Sequence, residues 1–196
     1  MMSIKKANSC FRKVPDNQAD CCNGASGNQS TCCGQNQQVC TGKNILIEFM
    51  YIDLTTCDRC IGTDTSLEEA IGEVSVLLQN AGYSLDVRKI LVETEEQAQK
   101  LNFVSSPTIR INGLDIQLDF KESICGCCGE IAGEDIDCRV WLWQGQEYTT
   151  PPKAMLIDAI LRHVYGGTQQ TMEDASESKP IPKNLKKFFA SKGRIK

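Results

Sequence analysis

Apolar residues recur along positions 45–166 with periods that switch between strand and helix, while both ends of the chain are polar. Ile45-Leu46-Ile47-Glu48-Phe49-Met50-Tyr51 is an apolar run of strand length. Leu67, Ala70, Ile71, Val74, Leu77 and Leu78 then fall on one helix face at i, i+3, i+4, i+7. Thr65 with Glu68 makes a capping-box pattern, which predicts a helix beginning at Thr65, and Gly82 is placed to end it. Residues 83–92 read as a second strand, and Thr94 with Gln97 opens a short helix ending near Leu101. Pro107 precedes the strand Thr108-Ile109-Arg110-Ile111, which stops at Asn112-Gly113, a pair suited to the two positive-φ positions of a type I′ turn. Leu114, Ile116, Leu118 and Phe120 alternate with Asp115, Gln117 and Asp119, predicting a half-buried return strand as far as Phe120. Residues 139–149 read as another hairpin about Gln144-Gly145. Pro151-Pro152 opens a last helix with the stripe Leu156, Ile157, Ile160, Leu161 and Val164, closed by Gly166-Gly167. This order predicts an α/β fold: a central mixed sheet flanked by helices, with a cysteine-rich insertion.

Charge divides the 196 residues in the same way. The overall charge of −4 splits into about +3 over residues 1–44, −11 over 45–166 and +4 over 167–196. Residues 45–166 are therefore read as the domain. Residues 1–44, rich in Asn, Gln, Gly and Ser, are read as a disordered cysteine-rich extension, because they bury too little to offset backbone ordering. Residues 167–196 are read as a linker and a basic amphipathic segment. Leu185, Phe188 and Phe189 stand there at helical spacing, and docking on the acidic domain is expected over contact with nucleic acid or membrane. No apolar run reaches the length of a membrane span, and no apolar h-region follows the N-terminal lysines. A reducing cytoplasmic location is expected. There, 12 cysteines point to catalytic or metal-binding thiols more than to a disulfide framework.

Cys57-Asp58-Arg59-Cys60 lies between a strand and a helix, the setting of a redox dithiol, although half of a zinc site has the same spacing. Thiolate is the reactive species, and a helix N-terminus, Arg59 or backbone donors would stabilise it. With the helix start expected at Thr65 and Gly62 intervening, the pair belongs either to an earlier short turn or to a loop. Pro107, read by itself, is an ordinary trans proline at a strand start.

Taken together, Cys57-x-x-Cys60 after the first strand and Pro107 before a later hairpin resemble the thioredoxin-like superfamily. More closely, Cys57-Asp58-Arg59-Cys60, Ser106-Pro107-Thr108-Ile109-Arg110-Ile111-Asn112-Gly113, Cys125-Gly126-Cys127-Cys128 and the tail from Lys183 to Phe189 look like an uncharacterised prokaryotic thioredoxin-like family. The resemblance covers residues 45–196. It implies a cis bond before Pro107, beside the dithiol, where neighbouring backbone groups pair with substrate. It implies thiol–disulfide exchange with a protein or small-molecule partner, Cys57 attacking and Cys60 resolving, with no cofactor required.

The remaining thiols leave two readings open. Cys125, Cys127 and Cys128, spaced by glycine, either relay oxidation from the dithiol or bind a soft metal or metalloid such as Zn²⁺, arsenite or mercury. In the second case Cys57 and Cys60 would join two of the insertion cysteines as a four-thiolate site. The insertion is not read as a second Cys-x-x-Cys, and Cys138 is expected to be a small buried residue, not a ligand. In the extension, the adjacent pairs Cys21-Cys22 and Cys32-Cys33 are poorly placed to bridge each other and suit joint capture of a thiophilic ion. His163, the one histidine, is expected on the surface of the last helix, and Trp141 and Trp143 on one strand face as packing. The chain has no P-loop or dinucleotide fingerprint.

Overall fold

The first two apolar runs lie side by side as β1 (Lys43–Tyr51) and β2 (Tyr83–Leu91), parallel and in register from Lys43↔Tyr83 to Tyr51↔Leu91. The computed structural model describes residues 43–166 and 180–192 of the protein. Parallel neighbours need a crossover, and α1 (Asp58–Asn80) supplies it. After α2 (Glu95–Lys100), β3 (Thr108–Ile111) runs antiparallel to β1 on its other side and turns into β4 (Leu114–Asp115), giving the order β2-β1-β3-β4. A second sheet, β5-β6-β7, is built from Lys121–Ile124, Asp137–Trp143 and Gln146–Tyr148, with α3 (Gly126–Ala132) between its first two strands. The helices α4 (Lys153–Tyr165) and α5 (Lys183–Lys192) complete the fold. The fold is thus mixed α/β, with a mixed sheet flanked by helices and a cysteine-rich region.

One face of β1 and β3 buries Ile45, Ile47, Phe49, Ile109 and Ile111 against Leu67, Ala70, Val74 and Leu78 of α1 and Met155, Leu156 and Ile160 of α4. Fully burying side chains of this size contributes about 1.5–3 kcal/mol each. A second core joins Met50, Ile52, Val92 and Phe103 to five cysteines, Ile136, and Leu185 and Phe188 of α5. The basic segment at residues 183–192 therefore packs on the domain through its apolar stripe.

Three local expectations are corrected. First, α1 begins at Asp58, one turn and more before Thr65. Thr65 does not cap: its hydroxyl donates back to the Ile61 carbonyl at 3.0 Å, as Thr63 does to Arg59 at 2.7 Å. Gly62 is no break either, since a Cβ there would stand 2.6 Å from Thr150 Oγ1; it lets the segment before α4 lie against α1. Second, the return strand ends at Asp115, not Phe120. The Asp115 carboxylate accepts from the Gln117 backbone N–H at 3.0 Å and is gripped by both terminal nitrogens of Arg139 at 2.8 Å, which bends the chain and leaves Leu118 exposed. Third, the insertion forms a helix, α3, where only a glycine-rich run was legible. The Asn112-Gly113 turn has positive φ at both positions, as expected, and so has the Gln144-Gly145 turn. Trp141 is buried and Trp143 partly so. His163 is half-buried and bonded to Asn112 Nδ2 at 2.8 Å.

Candidate functional site

The site begins with a loop tied by one carboxylate. Asp53 Oδ1 accepts from the backbone N–H groups of Thr55, Thr56 and Cys57 at 3.0, 2.6 and 3.0 Å, and Oδ2 accepts the Thr55 hydroxyl at 2.9 Å. Burial pushes the Asp53 carboxyl up, but these four bonds bring it below the usual carboxylate range. The loop delivers Cys57 as the N-cap of α1, in extended conformation, with Cys60 one turn later. Cys60 Sγ lies 3.5 Å from Ser106 Oγ, which also accepts the Ile52 N–H at 3.3 Å. The Ser106–Pro107 peptide is cis, as the resemblance implies.

A second helix start faces the first. Cys125, held by its N–H to the Ile136 carbonyl at 2.8 Å, is the N-cap of α3, and Cys128 lies in the first turn. Cys138 enters from β6, paired with Ser123 of β5. The sulfurs of Cys57, Cys125, Cys128 and Cys138 all lie within 4.8 Å of one another, and Cys138 Sγ is 3.4 Å from Cys128 Sγ. Arg59, inside the first Cys-x-x-Cys, holds the two parts together. Its guanidinium donates to the carbonyls of Cys138 at 2.9 Å and Ile124 at 2.7 Å and to Ser123 Oγ at 3.0 Å.

The four sulfurs have almost no exposed surface: Cys125 is 3% exposed and the other three are fully covered. Hydrogen bonds from Cys125, then Cys128, Cys138 and Cys60, push the Cys57 thiol down strongly against the cost of burial. Bonds from Cys128 and Cys138 lower Cys125 to about 6. Cys60 is pushed up, first by its bond to Cys57 and then by burial; Cys128 is pushed up first by its bond to Cys125, against the lowering effect of its bond to Cys138, and Cys138 is pushed up by its bonds to Cys125, Cys128 and Cys57. These bonds thus favour negative charge on Cys57 and Cys125 and protons on Cys60, Cys128 and Cys138. A cation among the sulfurs would replace those protons.

The site differs from the sequence reading in membership. Cys57 and two insertion thiols do meet, but Cys60 and Cys127 lie outside the group of four, and Cys138, expected only as a buried filler, lies inside it. Cys125 and Cys128 are themselves a Cys-x-x-Cys in the sequence, so two such pairs open two facing helices. Cys138 carried no such signal, because β5 and β6 had to pair before it could face Cys128. Arg59, read as a thiolate activator, is committed to carbonyl groups. Pro107 is buried, and the Ser106 carbonyl beside it accepts the Arg139 N–H of β6 at 2.7 Å. The chain's own strand β6 therefore takes the backbone position where the resemblance implies a substrate. Cys21, Cys22, Cys32 and Cys33 lie outside the described residues. Among the described residues no helix is long and apolar enough to cross a membrane.

Fold and site together define a mixed α/β protein with a buried cysteine cluster suited to metal binding or thiol redox chemistry. Residues 45–160 match the family model described as a domain of unknown function, DUF2703, and the chain belongs to that family. No curated protein and no solved structure matches it.

Proposed function

We propose that the protein binds one soft metal ion through Cys57, Cys125, Cys128 and Cys138. The observation that carries this reading is the convergence of four buried sulfurs within 4.8 Å from three separate elements. A tetrahedral zinc–thiolate centre with bonds near 2.3 Å needs sulfur–sulfur separations of about 3.8 Å, and the four sulfurs here all lie within 4.8 Å of one another. Thiolates select zinc, cadmium, copper(I) or mercury over hard cations. Metal analysis of protein purified without chelators, followed by titration with Zn²⁺, tests the reading. One bound ion per chain that is lost in Cys57→Ser and Cys138→Ser, but retained in Cys60→Ser, is expected. Protein that takes up no thiophilic ion at these four sulfurs overturns it.

A second reading, thiol–disulfide exchange by Cys57 and Cys60 in a thioredoxin-like domain, has specific support. The pair opens α1 beside Pro107, and the order β2-β1-β3-β4 with antiparallel β3 and β4 agrees with the resemblance. Against it stand the full burial of both sulfurs and the covered Ser106 carbonyl. Reduction of insulin disulfides at a rate abolished by Cys57→Ser would favour this reading over the first.

A further inference from the structure

The proposed metal site has no direct opening for a ligand exchange, since each of its four sulfurs is at least 97% covered. Soft ions travel bound to thiols, and they pass from one thiolate to the next by associative exchange, which needs an attacking sulfur within reach of the carrier. Of the six described cysteines, Cys127 alone is partly exposed. Its sulfur lies 3.7 Å from Cys125 Sγ. The backbone N–H of Asp58, in the first turn of α1, also points at it. Cys127 therefore stands at the seam between the two helix starts that carry three of the four ligands, touching solvent on one side and the cluster on the other.

Resting on the metal-binding reading, we infer that Cys127 is the acceptor thiol through which the site takes a soft metal ion from a thiol-bearing carrier. The Cys127 sulfur bonds to the carrier-held ion, one carrier sulfur–metal bond breaks, and the departing carrier thiolate takes up the proton that Cys127 gives up. Cys125 then attacks the same ion, and the remaining cluster sulfurs displace the last carrier sulfur and finally Cys127. No electrons are transferred: a thiol that displaces a carrier sulfur gives that sulfur its proton, the cluster thiol that displaces Cys127 gives its proton to Cys127, and any proton left over goes to water. Cys127 is thus a transient ligand. It governs the rate of loading and not the final affinity, which the four buried sulfurs set.

The test uses the full-length chain with Cys10, Cys21, Cys22, Cys32, Cys33 and Cys40 replaced by Ser, so that only the domain thiols report. Cadmium(II) presented as its glutathione complex is mixed with this protein and with its Cys127→Ser variant, and the band followed in time is the difference in thiolate-to-cadmium charge-transfer absorption from that of the glutathione complex alone. The variant is expected to reach the same final band and the same cadmium affinity, but at least about tenfold more slowly, as loss of an accessible attacking thiol predicts. Equal loading rates overturn the inference and leave the metal site standing. The way in would then be the cavity of about 350 Å³ that borders Cys125 and is lined by Glu130, Glu134 and Asp135. A lower final band in Cys127→Ser also overturns it, because Cys127 would then be a resident ligand. If the parent protein gives no such difference, and no cadmium stays with it when the glutathione complex is separated off, the metal-binding reading itself is removed.

Discussion

At the scale of single residues, the site depends on two side chains that carry no sulfur. Asp53 gathers three backbone N–H groups and one hydroxyl, and so sets where Cys57 enters α1. Its carboxyl is held below the ordinary 3.8 of an unfolded chain. A group depressed in the folded state stabilises that state above its unfolded pKa, and the contribution disappears as pH falls through the folded value. Asp53→Asn keeps an acceptor oxygen but loses the charge-assisted part of these bonds, at a cost of about 1 kcal/mol near neutral pH. Urea unfolding of both proteins from pH 7 downward should show that gap closing below pH 3.8; a gap that stays constant to lower pH would assign the effect to packing. Arg59 is the second such residue. It bonds the carbonyls of Cys138 and Ile124 and Ser123 Oγ across the join between α1 and the insertion. Arg59→Met preserves the aliphatic stem and removes the donors. Loss of such a supporting contact typically lowers metal affinity about 10- to 100-fold. Competition with a chelator of known affinity should show that loss while far-ultraviolet circular dichroism stays unchanged.

At the scale of elements, α5 closes the cluster. Leu185 and Phe188 are buried in the same core as the five covered cysteines, and Asn184 pairs with both backbone groups of Asp137, next to Cys138. Ser191 and Lys187 reach Glu134, just past α3. Phe188→Ala should cost about 3–5 kcal/mol, as removal of a buried aromatic does. Labelling with a disulfide reagent should show the protected domain thiols reacting faster in that variant, and an unchanged slow phase would mean that α5 does not shield them. The docking of this helix was legible beforehand because Leu185, Phe188 and Phe189 declare a stripe and the domain is acidic. So were β1, β2, the capped start of α2 and both positive-φ turns, each written in local periodicity or turn chemistry. The true start of α1 was not, because Thr65 and Gly62 imitate a cap and a break. What they serve, a hydroxyl bond back to Ile61 and close approach of Thr150, exists only after α1 and the segment before α4 have packed. The shortness of β4 escaped for a similar reason: Asp115 reads as a polar strand position until Arg139, 24 residues later, claims it.

At the scale of the whole molecule, the four sulfurs span the two sheets. Cys57 belongs to the crossover of the first sheet, whereas Cys125, Cys128 and Cys138 belong to the second. Apart from them, the junction is held by shared apolar cores, which take in Trp141 of β6 with β1 and β3 and Ile136 with Met50 and Ile52, and by Arg59, the Arg139–Ser106 backbone bond, the Arg139–Asp115 pair and the Ser105–Glu122 bond. Apposed thiols by themselves contribute little there, since burial opposes the charge that their hydrogen bonds draw onto Cys57 and Cys125. An ion bound by all four would change that balance, because it clips the two sheets together and the unfolded chain has no preformed site. Free metal at a thousandfold over its dissociation constant would add about 4 kcal/mol to stability. Thermal melts with and without a strong chelator should therefore separate by several degrees in the parent protein. In Cys57→Ser the second sheet keeps its three sulfurs but loses the link to the first, so its melting temperature should respond far less to chelation. An equal response in the two proteins would mean that any bound ion serves the second sheet alone, and that the junction is held by core packing and the arginine and backbone contacts.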